Sequence, residues 1–170
     1  MKRLNLIVFL MVIATLIALL LMGFGTVPST LALEAPPYYQ TQWGSRGSGD
    51  GQFESPVKVA VDSSGYVYVV ESFKNRIQKF NSNGAFVTKW GRYGFDGGQF
   101  QNPYGVAVDS SGNVYVADAG NRRIQKFDSN GVFITKWGGY GSGDDQFYSP
   151  MGVAVDSNGN VYVADSINRR

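Results

Sequence analysis

The fold is decided by residues 103–127, which read PYGVAVDSSGNVYVADAGNRRIQKF. Four short runs of strand-forming residues lie in this stretch and directly after it: 106–109, 114–117, 123–127 and 132–137. The segments between these runs are rich in Ser, Gly, Asn and Asp, which are turn residues. Each such unit therefore predicts four consecutive short strands, the first two of which form a tight hairpin.

The unit recurs along the chain with a fixed period. Trp43, Trp90 and Trp137 are spaced 47 residues apart, and aligning 56–91 with 103–138 without a gap gives 24 identities in 36 positions. Four-stranded units at a period of forty to fifty residues are typical of β-propeller blades. The first two strands of a unit are apolar on both faces, which predicts that both faces are covered. The polar residues of the third and fourth strands predict that these strands lie nearer to solvent.

The run from Pro103 to Asp118, followed by Asn-Arg-Arg-Ile-Gln-Lys-Phe at 121–127, closely resembles the NHL repeat. The resemblance covers essentially all of residues 38–170. It implies an all-β fold, a six-bladed β-propeller of four-stranded antiparallel blades. It also implies a binding platform for proteins, RNA or other ligands, since only a minority of related propellers are enzymes.

At this period the sequence provides about two full blades and parts of two others, an incomplete propeller. The expected division is a signal peptide or N-terminal membrane anchor at 1–32, a linker and the lone outer strand of a closing blade at 33–55, a first NHL blade at 56–102, a second at 103–149, and a truncated third repeat at 150–170. We interpret the sequence as the N-terminal part of a longer protein whose C-terminal part supplies the remaining blades. The alternative is a short protein that assembles rings from several chains. Residues 33–170 alone should self-associate, because they would leave strand edges and a blade face uncovered.

The N-terminal segment has the pattern of an export signal. Lys2 and Arg3 precede an apolar run at 4–24, and small residues follow before Leu33. This order predicts cleavage before Leu33, or else an uncleaved anchor that inserts residues 4–24 into the membrane. In both cases the rest of the chain is secreted or extracytoplasmic.

Composition excludes several classes of function. The chain contains no Cys and no His, so disulfides, thiolate nucleophiles, Ser-His-Asp triads and imidazole metal ligands are excluded. Beyond residue 32 the charges balance at thirteen basic and thirteen acidic residues, and no nucleic-acid partner is expected. We predict no catalytic residue, metal site or cofactor in this sequence. The rival hypothesis is an extracytoplasmic lyase or hydrolase whose active site lies in further blades, because related propeller lyases rely on His.

Two sets of acidic residues recur with the repeat. The first set ends the first strand of each unit and is expected to accept hydrogen bonds from turn amides: Asp62, Asp109 and Asp156. The second set ends the second strand, with an arginine five residues later, and predicts an ion pair within the blade. Its members are Glu71, Asp118 and Asp165, with Arg76, Arg123 and Arg170 as their respective partners.

Two kinds of connector are expected to emerge on the same propeller face. The first are the Gly-rich connectors between blades, of which 44–51 is the first copy. The other, called the second connector, joins the second and third strands of each blade. The copies diverge there, and variable loops on a rigid scaffold commonly carry recognition. The hypothesis is a face that binds a protein or polysaccharide through Arg46, Arg92, Tyr93, Tyr140, Phe73, Lys74 and Asn121. The repeated tryptophans are instead interpreted as packing between blades.

Overall fold

The computed structural model describes residues 41–170. The predicted export segment at 1–32 and residues 33–40 lie outside the described residues. Within 41–170, no helix has the length and apolar character needed to cross a membrane.

Short strands dominate the described part of the chain. Their bounds are β1 Ser45–Arg46, β2 Gln52–Phe53, β3 Pro56–Val61, β4 Val67–Glu71, β5 Arg76–Phe80, β6 Phe86–Trp90, β7 Pro103–Val108, β8 Val114–Asp118, β9 Arg123–Phe127, β10 Phe133–Gly138, β11 Pro150–Val155 and β12 Val161–Asp165. A single turn of 3-10 helix, Ala119–Asn121, connects β8 to β9.

The strands form consecutive antiparallel sheets. Strands β3 to β6 pair in chain order as one four-stranded sheet (blade 1), and β7 to β10 pair as a second (blade 2). Strands β11 and β12 form a hairpin (blade 3), and β1 pairs with β2 in parallel. The predicted all-β class with four-stranded antiparallel blades is confirmed.

The core lies between the blades. Strand β7 lies against β3 and β4, and β11 lies against β7 and β8, so neighbouring blades meet through their inner strands. The buried residues between blades 1 and 2 are Tyr68, Val70, Ile77, Phe100, Val106, Val114, Val116 and Phe127. Between blades 2 and 3, Tyr115, Ala117 and Ile124 pack against half-buried valines of blade 3.

The tryptophans of blades 1 and 2 occupy matching positions in this core. The Trp90 ring centroid lies 6.3 Å from that of Tyr68, and the Trp137 centroid lies 6.4 Å from that of Tyr115, both edge to face. Trp90 also reaches Phe127 of blade 2 at 5.9 Å. These side chains therefore pack between blades, as their 47-residue spacing predicted.

The lone outer strand expected within residues 33–55, which the repeat period places at 38–43, is not formed in its described part. Residues 41–43 lie outside any strand, because no described strand lies beside them to complete a hydrogen-bonded ladder. Trp43 still packs on Phe80, with ring centroids 6.3 Å apart. That contact repeats the one between Trp90 and Phe127.

Two burial expectations were wrong. The third strand does not lie near solvent: every residue of β5 is buried, and Gln78 is 0 % exposed. The first strand of blade 1 is not covered on both faces, since Val59 and Val61 are exposed. No blade lies against that side of β3 within residues 41–170.

Candidate binding face

An ion pair is buried in each complete blade. In blade 2 the Arg123 Nε donates to Asp118 Oδ2 at 2.8 Å, and Asp118 is fully buried. The same oxygen accepts a hydrogen bond from Gln125 Nε2 at 3.0 Å, while Asp118 Oδ1 accepts one from the Gln101 amide at 2.7 Å. A buried carboxylate needs this degree of pairing to offset its desolvation.

The same arginine binds the Gly-rich connector that precedes its blade. The Arg123 guanidinium donates to the carbonyl oxygens of Phe95, Asp96 and Gln99, the last two at 2.9 and 2.8 Å. Gln125 donates to the Gln99 carbonyl oxygen at 2.6 Å. Side chains of a buried strand thus fix the backbone of a surface loop.

The hydrogen bonds from the arginine to the connector recur in the other two blades, whereas the ion pair recurs in blade 1. In blade 1, Arg76 donates to Glu71 at 2.6 Å and to the Ser48 carbonyl oxygen at 2.8 Å. In blade 3 the predicted ion pair with Asp165 is not formed among the described residues. Arg170 is exposed outside any strand, and its guanidinium donates to the Ser142 carbonyl oxygen at 3.0 Å instead. There the Asp165 carboxylate accepts hydrogen bonds from the Asn168 side chain and from the amides of Tyr148 and Ser149.

The other recurring acids lie in the first turn of each blade. Asp109 Oδ1 accepts hydrogen bonds from the amides of Ser111 and Asn113, both at 2.9 Å, and Oδ2 accepts one from the Tyr115 hydroxyl at 3.0 Å. The equivalent acids, Asp62 and Asp156, make the same set of turn and tyrosine contacts. Each carboxylate therefore ties a hairpin turn to the second strand.

This bonding predicts a pH dependence of stability. Burial raises the pKa of Asp109, but the hydrogen bonds from Asn113, Tyr115 and Ser111 outweigh it and hold the pKa below its ordinary value of 3.8. A depressed native pKa stabilises the fold above the unfolded value, and that stabilisation is lost as the pH falls through the native pKa. The difference in urea midpoint between the wild-type chain and Asp109→Asn should therefore shrink steadily below about pH 4. A difference that stays constant down to pH 2 would contradict it.

The Gly-rich connectors and the second connectors meet at one edge of the sheets. Asn121 Nδ2 in the second connector of blade 2 donates to the Gly94 carbonyl oxygen at 2.9 Å. Between blades, the Asn102 amide donates to Asn75 Oδ1 at 2.8 Å. We call this edge the connector face, made of the Gly-rich connectors 44–51, 91–98 and 138–145 and the second connectors 72–75, 119–122 and 166–169.

Large apolar side chains are exposed on the connector face. Phe73, Tyr93, Phe95 and Tyr140 are each about 60 to 75 % exposed. The Tyr93 and Phe95 rings lie 5.8 Å apart and edge to face.

A second aromatic pair lies further along the same face. The Tyr140 and Tyr148 rings are 4.7 Å apart, and their hydroxyls share a hydrogen bond. The Arg122 guanidinium lies 4.8 Å above the Tyr140 ring, a cation–π distance. This contact links the second connector of blade 2 to the connector that follows the blade.

The seven residues predicted to bind a partner fall into two groups: five have exposed side chains, and two have side chains that are bonded within the protein. Phe73, Tyr93, Tyr140, Arg46 and Arg92 are exposed on the connector face. The other two are engaged within the protein. The Lys74 ammonium pairs with Glu54 at 2.5 Å, and the Asn121 amide donates to Gly94 and Asp118.

The predicted set of binding residues did not include Phe95, Tyr148, Arg122 and Ile167, although all four lie on or beside this face. Divergence between the repeats is the sequence signal that could have identified Phe95, because the other two copies have serine at this position. Among residues 41–170, no group of acidic side chains is arranged to hold a metal ion.

Comparisons with known proteins agree with this architecture. Residues 100–127 and 147–170 match the NHL repeat. A search of curated proteins gives no match to this chain.

Solved structures with the same fold have varied roles. They include a virginiamycin B lyase from Staphylococcus aureus (17 % identity, 65 % of this chain and 34 % of that chain, TM-score 0.50). A chain of a nidogen/laminin complex matches with 21 % identity over 65 % of this chain and 39 % of that chain, TM-score 0.52. An auxiliary nutrient binding protein from Bacteroides thetaiotaomicron matches with 19 % identity over 66 % of this chain and 35 % of that chain, TM-score 0.52. The chain spans about a third of the length of these proteins, and the likeness shows the propeller fold alone.

Proposed function

Because the chain carries NHL repeats that fold as β-propeller blades, we propose that it is an exported scaffold that binds a protein or polysaccharide on its connector face. One observation carries the proposal: exposed aromatic side chains lie on loops whose backbones are fixed from below by buried side chains. Tyr93 and Phe95 belong to the connector that Arg123 and Gln125 hold. Loops fixed in this way lose little conformational entropy when they bind a ligand.

The chemistry of the face favours a ligand recognised by aromatic contact rather than by charge. Tyrosine and phenylalanine provide large contact areas, and the tyrosine hydroxyl adds a hydrogen-bonding group. The nearby charges have both signs, with Arg46 and Arg92 on the same connectors as Asp50 and Asp96. No single-sign field is present there to select an anionic polymer.

Export is proposed from the sequence of the first residues. Lys2 and Arg3 followed by the apolar run at 4–24 support passage of the blades out of the cytoplasm. A fusion of residues 1–40 to a reporter that is active only outside the cytoplasm should be active. A reporter retained in the cytoplasm would contradict export.

The enzymatic alternative has weaker support. The match to a lyase is at 17 % identity, and the chain has no histidine to act as acid or base. Catalysis that depends on histidine would require groups outside this sequence, so the binding role remains our proposal for the residues present.

Removing aromatic side chains tests the connector face directly. The double variant Tyr93→Ala/Tyr140→Ala should lose about tenfold or more in affinity, because buried aromatic anchors carry much of the energy of an interface. The probes are peptides selected on the wild-type chain from a displayed library, together with cellulose and chitin as insoluble polysaccharides. The matched control is Val132→Ala, which removes an equally exposed side chain (62 %) from the third turn of blade 2. Equal retention of a selected peptide or polysaccharide by the wild-type chain and the double variant would reject this face.

A further inference from the structure

The Arg122 side chain is left without a polar partner in the described part of the chain. Its Nε atom is buried and finds no acceptor among residues 41–170, and none of their carboxylates forms an ion pair with it. The buried arginines of the two complete blades differ in this respect, because Arg76 and Arg123 each donate to a carboxylate and to connector carbonyl oxygens. The Arg122 guanidinium is therefore partly dehydrated and uncompensated. An anion from outside the chain binds most strongly to a charge in that condition.

Comparison with blade 1 shows that the fold does not require an arginine at this position. Asn75 is the equivalent residue one repeat earlier, and both residues have a left-handed backbone, with φ of 53° and 54°. Asparagine adopts this conformation more readily than arginine. Asn75 Oδ1 also accepts a hydrogen bond from the Asn102 amide at 2.8 Å and so ties blade 1 to blade 2. The arginine of blade 2 gives up both advantages, which points to a role outside the packing of the blades.

The exposure of this site is a property of the connectors and not of the ends of the described segment. Arg122 belongs to blade 2, which packs against blade 1 on one side and blade 3 on the other. Tyr140, over which the guanidinium lies, is 59 % exposed. Tyr93 has the same position between the two complete blades and is 60 % exposed. A complete following blade therefore leaves this tyrosine position open.

The guanidinium is oriented by stacking on an aromatic ring. Its central carbon lies 4.8 Å from the centre of the Tyr140 ring. Stacking of this kind uses the face of the guanidinium, whereas its N–H groups lie around the edge. The preceding residue, Asn121, donates to the Gly94 carbonyl oxygen at 2.9 Å. Arg122 therefore lies between the connector that carries Tyr93 and the connector that carries Tyr140.

The tyrosine pair beside the guanidinium adds a further donor. The hydroxyls of Tyr140 and Tyr148 share one hydrogen bond, and two phenols carry two hydroxyl protons. One proton is therefore left to donate to an acceptor from outside. The hydrogen bond with Tyr148 is the main cause that raises the pKa of Tyr140, so this hydroxyl stays protonated at neutral pH.

These donors fit a carboxylate. A planar guanidinium matches the two oxygens of a carboxylate in both geometry and charge. The nearby Asp118 does not take this place, because its carboxylate is paired with Arg123 at 2.8 Å. The carboxylate therefore has to come from a ligand.

The aromatic side chains around Arg122 favour a peptide as the source of that carboxylate. The planes of Tyr93 and Phe95 meet at 73°, so the two rings do not form one flat surface on which a sugar ring could stack. Phe73 and Phe95 are 75 and 62 % exposed, and their rings have no polar atom for sugar hydroxyls. Such rings suit the apolar side chains that flank an acidic residue in a peptide.

We propose that Arg122, together with the hydroxyls of Tyr140 and Tyr148, binds the carboxylate of an acidic residue in a peptide segment of the partner. The site rests on the binding function proposed for the connector face, and it specifies one group that the ligand carries. A single arginine selects a single carboxylate, so the aromatic side chains of the face still provide most of the contact area.

The test combines a change in the protein with a change in the ligand. Peptides are selected from a displayed library on the full wild-type chain in a mild non-ionic detergent, and each is also synthesised with its Asp or Glu residues replaced by Asn or Gln. The protein variant is Arg122→Asn, which introduces the residue that blade 1 has at this position. Measured by fluorescence anisotropy, either change alone should weaken binding about tenfold, because a hydrogen bond between charged groups is lost. Both changes together should weaken it no further.

The control variant removes a positive charge from a similar contact at the opposite edge of the blade. It is Lys126→Gln, since the Lys126 ammonium lies 5.0 Å from the centre of the Tyr115 ring, near the third turn of blade 2. This variant should bind every peptide as the wild-type chain does. The urea midpoint of Arg122→Asn should equal or exceed that of the wild-type chain, because asparagine tolerates the left-handed backbone. A lower midpoint together with an equal loss of acidic and amide peptides would assign Arg122 to packing alone and overturn the proposal.

The remaining outcomes separate this site from the connector face as a whole. Selected peptides that contain no acidic residue, or that Arg122→Asn binds as tightly as the wild-type chain, would overturn the carboxylate site. The binding face would still stand if Tyr93→Ala/Tyr140→Ala weakened the binding of those peptides. Retention of polygalacturonate through Arg122, with no acidic peptide selected, would overturn the peptide and assign the carboxylate to a polysaccharide. If the wild-type chain retained neither a peptide nor a polysaccharide, both the site and the binding function would be rejected.

Discussion

Replacement of Arg123 by methionine is expected to lower the free energy of unfolding of the blades by about 3–5 kcal/mol. The variant leaves the Asp118 carboxylate fully buried without the guanidinium that lies 2.8 Å away. It also releases the carbonyl oxygens of Asp96 and Gln99 that the arginine holds. The loss of stability therefore has two causes, a buried carboxylate without its partner and a connector without its hydrogen bonds. It should be measured as a lower midpoint of urea denaturation.

The control for this variant makes the same chemical change at the surface. Arg92→Met removes an exposed arginine from the same connector, and its effect should stay within about 0.5 kcal/mol. The double variant Asp118→Asn/Arg123→Met should lose less than the sum of the single variants, because the buried charge is removed together with its partner. Equal midpoints for Arg92→Met and Arg123→Met would show that the pair does not hold the blade together.

Truncation of Phe127 to alanine should cost a similar amount, about 3–5 kcal/mol. Phe127 is 0 % exposed, and its ring lies 5.5 Å from that of Phe100 and 5.9 Å from that of Trp90. A cavity at this point loosens the packing of blade 1 on blade 2, because Trp90 belongs to the first blade and Phe127 to the second. Calorimetry or urea denaturation of the variant measures the loss.

The matched control for Phe127→Ala is Phe73→Ala on the connector face. Phe73 is 75 % exposed, so its truncation should leave the unfolding midpoint nearly unchanged. If both variants unfolded at the same urea concentration, the core between blades 1 and 2 would not be the source of stability.

The strand pattern could be predicted from the sequence because each strand is short and bounded by turn residues. The fourth strand of blade 2 was expected at 132–137 and is observed as Phe133–Gly138. The third strand was expected and found at Arg123–Phe127. Such agreement follows from local chemistry: Gly, Asn and Asp in the turns fix where one strand ends and the next begins.

The burial of the third strand could not be predicted in the same way. The polar residues Gln78 and Gln125 suggested solvent, yet both are fully buried. Their partners are backbone groups of a connector about 26 residues earlier in the chain. A periodic pattern does not reveal where such distant carbonyl oxygens will lie, so a buried polar network resembles an exposed strand in the sequence.

The candidate face could be predicted only in part, because some of its contacts also join residues that are distant in the sequence. Divergence between the repeats identified Tyr93 and Tyr140, both of which are exposed on the connector face. It could not indicate that the Asn121 amide is bound to Gly94, or that Arg122 lies over Tyr140. These contacts join residues brought together only when consecutive connectors meet at one edge.

The sequence by itself determined the repeated unit, because strand and turn preferences act within a few residues and recur with the 47-residue period. The tertiary structure decided which copies of a position are buried. Val59 and Val106 are the same residue in the same strand of the repeat, yet one is 55 % and the other 4 % exposed. The difference arises because burial depends on whether a neighbouring blade covers the strand, and that neighbour lies outside the repeat unit.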